Sequence, residues 1–363
     1  MIGMATMTSR ERVRTALARQ EPDRVPVNYS ANAGIDARLK AHFGLTPNDT
    51  EGLLQALEVD FRIFFPPYRG PRLHPDPPEP GVTVDPWGIR RRWIEHPSGG
   101  YWDYCGFPLR DATEEEVARW PMPNPDHFDY AGARELRKRC PDAFLAIGGA
   151  GVPDIINGNG MLRTMEQTLV DLAIDDPAGL LLARRRAEIL FTVIERTLEI
   201  LKGKADGVWM GEDLGTQIGP LISRDLYRRH LRPIHQRFVD LARAHDLPVV
   251  IHSCGSSSWA FEDFIEMGIA AVDTLQPEAA HMAPSYLKSR YGDRLAFHGA
   301  ISTAGPLATG TPADVRTVCR QTLAIMMPGG GYCLAPTHAI QDNTPTENVL
   351  AMYEAAKRYG RYR

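Results

Sequence analysis

The sequence has no long apolar run and no excess of basic charge, and each absence excludes a class of protein. Among 363 residues, 41 are basic and 45 acidic, which gives a formal net charge of −4. Without a basic excess the chain has little means of neutralising a phosphate backbone, so nucleic-acid binding is not expected. No apolar run approaches the roughly 18 residues of a membrane span, and the first ten residues lack a hydrophobic signal core. We therefore expect neither membrane insertion nor export.

Cysteine is also scarce. The chain has five, an odd number without an export signal, which predicts a reducing, cytoplasmic compartment and no disulfide framework. Hydrophobic residues make up 43% of the chain, enough for a large core. The cysteines then raise the question of whether any of them is a metal ligand or a nucleophile.

Short apolar segments alternate with helical patterns along most of the chain. The eight segments of strand length are residues 24–30, 60–65, 144–149, 207–212, 248–254, 271–275, 295–300 and 332–337. Most are almost continuously apolar, which is typical of parallel strands covered on both faces. Alternation of strands and helices predicts an α/β fold, and eight strands predict a (β/α)₈ barrel of the TIM type. An open doubly wound sheet is the alternative, but no GxGxxG follows the first segment.

The stretch of about 66–128 breaks this rhythm. It is rich in proline, and residues 82–84 and 89–94 resemble the two strands of a hairpin. We predict one barrel domain over residues 1–363, with this stretch as an insertion after the second strand that lies over one end of the barrel.

Helix boundaries carry recognisable signals. Thr8 with Glu11 and Thr113 with Glu116 have the spacing of capping boxes, and Thr311 precedes a proline and an acidic first turn. The longest helix is expected after Asp176, and Pro233 is expected to kink another.

The most informative motif is His252-Ser253-Cys254-Gly255, at the end of the fifth predicted strand. Residues two apart on a strand point to the same side, so His252 and Cys254 converge on what would be the catalytic face of a barrel. An imidazole and a thiolate together favour zinc, and Cys333 is the best candidate for a third ligand. The alternative is that both cysteines are small buried hydrophobes and that His252 is a core histidine.

Acidic and polar side chains follow other strands at the same end. Glu212 and Asp213 end the fourth strand and are candidates for a fourth ligand, a general base or a substrate anchor. Asp273, Gln276 and Glu278 follow the sixth strand, where one of them could complete the metal sphere or orient His252. The residues expected to contact substrate are Tyr29, Gln217, Gln276, His298 and His338.

These motifs resemble the uroporphyrinogen decarboxylase-like superfamily, which includes zinc-dependent, corrinoid-linked methyltransferases. The matching segments are residues 10–13, 22–27, 252–255, 273–278, 288–298 and 329–338, together with Gln341, Pro345, Glu347 and Asn348. The resemblance implies a (β/α)₈ barrel. Porphyrin decarboxylases of this superfamily carry Arg-Gln-Ala-Gly-Arg-Tyr after the first strand, whereas residues 31–36 here read Ala-Asn-Ala-Gly-Ile-Asp. The missing arginines argue against a polycarboxylate substrate.

The methyltransferase branch implies zinc held by His252, Cys254 and Cys333, with a fourth ligand open between Glu212, Gln276 and Glu278. It implies methyl transfer between a small-molecule donor or thiol and a corrinoid, carried by a partner protein, and it is compatible with a homodimer. Two other interpretations stay open. One is a metal-free decarboxylase, for which Arg163 and Arg24 are the candidate cations, and the other is a non-catalytic corrinoid- or zinc-binding protein.

Overall fold

The computed structural model describes residues 6–362 and contains a curled, parallel seven-stranded sheet surrounded by helices. Within this sheet each strand pairs with the sheet strand that follows it in the chain. The seven strands are β1 Phe61–Phe64, β5 Phe144–Pro153, β6 Gly207–Gly211, β7 Val249–His252, β8 Ala271–Thr274, β9 Ala296–Ile301 and β10 Tyr332–Pro336. The predicted α/β fold of the TIM type is therefore confirmed.

The first predicted strand, residues 24–30, is not a regular strand but joins the two edges of the sheet. Pro26 O accepts a hydrogen bond from Leu334 N on β10, and Asn28 N donates to Leu334 O. On the other side, Val27 O accepts from Asp60 N just before β1. Proline has no N–H to continue a ladder, which explains why the pairing stays irregular. We call residues 24–30 the closing segment.

Helices follow most of the strands and pack their apolar faces on the sheet. All three predicted capping boxes or caps are present, at Thr8, Thr113 and Thr311. The helices are α1 Ser9–Leu17, α2 Ala33–His42, α3 Thr50–Ala56, α4 Glu114–Arg119, α5 Ala131–Arg139, α6 Ile155–Arg163, α7 Met165–Ile174, α8 Pro177–Leu201, α9 Arg224–Leu226, α10 Arg232–Ala244, α11 Phe261–Met267, α12 Pro284–Tyr291, α13 Pro306–Thr309, α14 Pro312–Met326 and α15 Thr346–Tyr359. Short 3₁₀ turns lie at Pro125–His127 and Ser258–Ala260.

The kink expected at Pro233 takes the form of a wider turn. A π-helical segment, Tyr227–Leu231, separates α9 from α10, whose second residue is the proline. The ring of a proline inside a helix clashes with the carbonyl four residues earlier, and an extra residue in the preceding turn relieves that clash.

A three-stranded antiparallel sheet lies between β1 and β5 in the chain. It consists of β2 Val82–Val84, β3 Arg90–His96 and β4 Gly99–Tyr104, so the predicted hairpin pairing of β2 with β3 is present. Asp342, which follows β10, accepts hydrogen bonds from Ile35 N on α2 and Gly100 N on β4. This contact ties β4 to the end of the barrel where β10 finishes.

The opposite end of the barrel is covered by α1. Val13 and Leu17 pack with Phe61, Phe144 and other side chains from the beginnings of the strands. Among residues 6–362, none of the helices has both the length and the apolar character that crossing a bilayer requires.

Candidate metal centre

His252 and Cys254 meet where β7 ends. His252 is the last residue of the strand, and the chain then turns at Gly255, whose φ is +69°. A Cβ at Gly255 would stand 2.3 Å from the backbone oxygen of Gly215, so only glycine fits this close approach. The turn brings Cys254 Sγ to 3.3 Å from His252 Nε2.

Asp213, two residues beyond β6, is the third member of the group. Its Oδ1 lies 3.7 Å from His252 Nε2 and accepts a 2.8 Å hydrogen bond from Cys254 N. Its Oδ2 accepts a 2.9 Å bond from Asn157 Nδ2 on α6, so both oxygens are held. One ligand atom from each of Asp213, His252 and Cys254 lies within 4.8 Å of the others.

These three donor atoms fit zinc. Bonds of about 2.0 Å to nitrogen and 2.3 Å to sulfur at a tetrahedral angle would separate the two atoms by about 3.5 Å. The observed separation of 3.3 Å between His252 Nε2 and Cys254 Sγ is close to this value. Nitrogen, sulfur and oxygen donors with a fourth position left open are typical of catalytic zinc sites.

Asp273, on β8, orients His252. Its Oδ2 lies 2.6 Å from His252 Nδ1, and its Oδ1 lies 2.6 Å from His298 Nδ1 on β9. Burial disfavours the ionised carboxyl, but the two histidines outweigh it and hold the pKa of Asp273 below its usual range. Burial likewise opposes the imidazolium, yet Asp273 raises the pKa of His252. A histidine that uses Nδ1 on a carboxylate presents Nε2 to a metal.

The structure does not bring Cys333 to this group. Cys333 is the second residue of β10, and it is fully buried in the apolar cluster under α1 with Leu17 and Phe61. Burial raises the pKa of both thiols, but only Cys254 has His252 beside it to favour the thiolate that a metal needs. A residue near the start of a barrel strand belongs to the end opposite the catalytic face. Asp213, and not Cys333, is the third donor that lies beside His252 and Cys254.

Glu212 points away from His252. Its carboxylate is fully buried and accepts hydrogen bonds from Ile155 N and Ile156 N at the start of α6, at 2.9 and 2.8 Å. His235 Nε2 lies 3.0 Å away. These contacts give Glu212 the role of a helix-terminus anchor, not of a base or a ligand.

The residues expected to contact substrate are divided between the rim and the interior. Gln217 and Gln276 exchange side-chain hydrogen bonds of 3.2 and 3.1 Å at the exposed rim. Tyr29 OH donates to Asp36 at 3.0 Å, whereas His298 is buried. His338 and Glu278 are exposed.

Neither arginine considered for a decarboxylase is available to a substrate. Arg163 forms two hydrogen bonds with Asp171, at 2.6 and 3.0 Å, and is itself buried. Arg24 is bound to Asp60 at 2.8 Å. Both guanidinium groups therefore act within the fold.

Asp154 and Asn157 lie beside this group, but neither was predicted from the sequence. Asp154 caps α6 directly after β5, with a left-handed φ of +38°. Burial and the charges of Glu212 and Asp213 raise the pKa of Asp154 to about 7. Asn157 Nδ2 links Asp154 Oδ2, at 3.2 Å, to Asp213 Oδ2. Asp154 could have been predicted, because it is an acidic residue that directly follows a strand. Nothing in the sequence distinguishes Asn157.

Comparisons with known proteins agree with this architecture. The family model of uroporphyrinogen decarboxylase (URO-D) matches residues 108–359, which is more than half of the chain. A solved methyltransferase from Methanosarcina mazei superposes with a TM-score of 0.64 over 97% of this chain and 99% of that one, at 18% identity. At this level of identity, the superposition shows a shared fold.

Relatives in sequence are of two kinds. Methylcobamide:CoM methyltransferase MtbA from Methanosarcina acetivorans is 24% identical over 139 residues, 38% of each chain. Uroporphyrinogen decarboxylase from Coxiella burnetii is 24% identical over 159 residues, 44% of this chain and 42% of its own. The decarboxylase from Anaeromyxobacter dehalogenans is 25% identical over 70% of each chain. The chain thus spans about two fifths of the first two relatives. It belongs to the uroporphyrinogen decarboxylase (URO-D) family, and its named relatives are enzymes, either methyltransferases or decarboxylases.

Proposed function

We propose that this protein is a zinc-dependent methyltransferase that moves a methyl group between a small-molecule donor or thiol and a corrinoid. The observation that carries the proposal is the group of His252 Nε2, Cys254 Sγ and Asp213 Oδ1 at the end of the barrel where the strands finish. The similarity to a methylcobamide:CoM methyltransferase supports the choice of reaction. In this proposal the corrinoid is carried by a partner protein.

The side chains around the group have distinct tasks in this proposal. Asp273 holds His252 with Nε2 toward the ligand group, and Asn157 with Cys254 N holds Asp213. Zinc bound there would supply Lewis acidity toward an acceptor thiol, or toward the oxygen or sulfur of a methyl donor. Gln217 and Gln276 lie at the rim, where a substrate would pass.

A decarboxylase is the second candidate, because the relative that covers 70% of this chain has that name. Its substrate carboxylates would need cationic partners, and both Arg24 and Arg163 are bound to acidic residues of the fold. A zinc ligand set without these cations favours methyl transfer.

Turnover with methylcobalamin and a simple thiol tests the proposal. Under anaerobic conditions, zinc-loaded protein should form the thioether and cob(I)alamin. Mass spectrometry detects the thioether, and the visible spectrum detects cob(I)alamin. Cys254→Ala should fall to the uncatalysed rate, while Cys333→Ala, the matched control in the core, should retain activity.

Zinc binding without turnover of methylcobalamin or of methyl donors would instead indicate a non-catalytic binding protein. Full activity of metal-free Cys254→Ala would contradict the zinc mechanism.

A further inference from the structure

A chain of hydrogen bonds crosses the barrel interior from the closing segment to the candidate metal centre. It joins the side chains of Asn28, His298, Asp273 and His252, in that order. We propose that Asn28 is a positioning residue, which acts through His298 and Asp273 to keep His252 Nε2 directed at the metal. This inference rests on the proposed zinc site.

The orientation of the Asn28 amide is fixed by its own surroundings. Asn28 Oδ1 accepts a 2.8 Å hydrogen bond from Tyr29 N, so the side-chain oxygen is already occupied by a donor. The backbone of Asn28 is held as well, since its N–H donates to Leu334 O and its carbonyl accepts from Tyr353 OH at 2.8 Å. The residue is buried, with 7% of its surface exposed. Only the NH₂ group is left to face His298 Nε2, at 3.1 Å.

An amide NH₂ can donate but cannot accept, and this decides where His298 carries its proton. Nε2 of His298 must be the acceptor, so the proton of the neutral ring sits on Nδ1. From there it is donated to Asp273 Oδ1, at 2.6 Å. The rings of Phe61 and Trp209 stand edge-on to His298, with centroids at 5.3 and 4.9 Å, and hold its plane.

The position of the His298 proton in turn determines how Asp273 binds His252. Because Asp273 Oδ1 receives a proton donor from His298, its Oδ2 is left to accept from His252 Nδ1, at 2.6 Å. His252 then presents Nε2 toward Cys254 Sγ and Asp213 Oδ1. If His298 carried its proton on Nε2 instead, its Nδ1 lone pair would face the Asp273 carboxylate, and the repulsion would turn Asp273 away from both rings.

The direct test reads the ring nitrogens of metal-free protein labelled with ¹⁵N-histidine. In the wild type we expect His298 to show a protonated Nδ1 and an unprotonated Nε2. Asn28→Asp has nearly the same shape, and its ionised carboxylate can only accept, so it should place a proton on His298 Nε2. Tyr353→Phe removes one of the two backbone anchors of Asn28. It leaves the bonds from Asn28 N to Leu334 O and from Tyr29 N to Asn28 Oδ1, so it should keep the wild-type pattern. A protonated Nε2 in the wild type, or an unchanged pattern in Asn28→Asp, would overturn the proposal.

Zinc affinity, measured by competition with a chromophoric chelator, tests the link to the metal. Removal of a group that orients a metal ligand lowers metal affinity by about 10–100-fold. We expect Asn28→Asp and Asn28→Leu to lie near the lower limit, because His298 and Asp273 stand between Asn28 and His252. Tyr353→Phe should bind zinc like the wild type. An altered His298 tautomer without any loss of zinc affinity would refute the positioning role. Failure of the wild type to bind zinc would refute the proposed function, while the tautomer result would still stand.

Discussion

Asp154 is a single residue whose charge state should control stability. Burial, and then the charges of Glu212 and Asp213, raise the pKa of its carboxyl to about 7 from a usual 3.8. Between these two values the folded protein holds a proton that the unfolded chain has lost. The contribution of the protonated Asp154 carboxyl to stability therefore falls as pH rises through this window and is gone above it. Asp154→Asn keeps the cap of α6 and removes the charge.

We therefore expect metal-free Asp154→Asn to have a larger free energy of unfolding than the wild type at pH 8. The difference should shrink toward pH 5, as measured in urea. A difference that is constant with pH, or that grows in acid, would contradict the assigned charge state.

The proposed metal ligands show what single residues reveal in a sequence. His252 and Cys254 could be predicted because a two-residue spacing on one strand brings side chains together without further knowledge. Asp213 was recognised as a candidate, but its pairing with His252 depends on the register of β6 with β7. Cys333 was favoured for its chemistry, although its place near the start of a strand argued against it.

Among the elements, the start of α2 depends on an unusually close contact. A Cβ on Gly34 would stand 2.7 Å from the Asp342 carboxyl group, which accepts from Ile35 N and Gly100 N. Helix propensity alone would favour alanine by about 0.5–1 kcal/mol. Displacing a buried carboxylate from its donors costs about 1–3 kcal/mol, so the clash outweighs the propensity.

Gly34→Ala should accordingly lower the free energy of unfolding. Gly160→Ala on α6, where the nearest atoms lie at 3.4 Å or more, is the matched control and should be neutral or stabilising. Equal effects of the two variants in urea unfolding would exclude this contact as the cause.

Elements were predicted well wherever a local signal existed. The capping boxes and the apolar runs of seven strands match the structure within a few residues. The closing segment failed as a regular strand because Pro26 interrupts the ladder while long-range partners on β10 and β1 still hold the chain. The partner before β1 lies about 30 residues away in the sequence and the partner on β10 about 300 residues away. A local sequence pattern carries no information on contacts at such separations.

At the scale of the whole molecule, the buried ion pairs of Asp60 and the proposed metal centre lie at opposite ends of the barrel. Asp60 is fully buried beside β1 and accepts from Arg12 at 2.7 Å, from Arg24 at 2.8 Å and from Val27 N at 2.8 Å. It thus joins α1, the closing segment and β1. Asp60→Ala leaves Val27 N without its acceptor and Arg24 without its carboxylate, while Arg12 keeps Asp23. Removal of one partner of a buried ion pair costs about 3–5 kcal/mol.

We expect Asp60→Ala to be strongly destabilised in urea, yet to bind zinc normally where it is folded. Lys357→Ala removes an exposed ion pair with Glu58 at the same end and should cost only about 0–1 kcal/mol. A loss of zinc affinity in folded Asp60→Ala would show that the two ends are coupled.

X-ray absorption at the zinc edge tests the central claim most directly, because it counts the sulfur atoms bound to the metal. The sample is zinc-loaded wild type in a reductant that contains no thiol. The account predicts one sulfur, from Cys254, with nitrogen and oxygen in the other positions, from His252, Asp213 and solvent. Two sulfurs would return Cys333 to the site, and protein that takes up no zinc would contradict the account altogether.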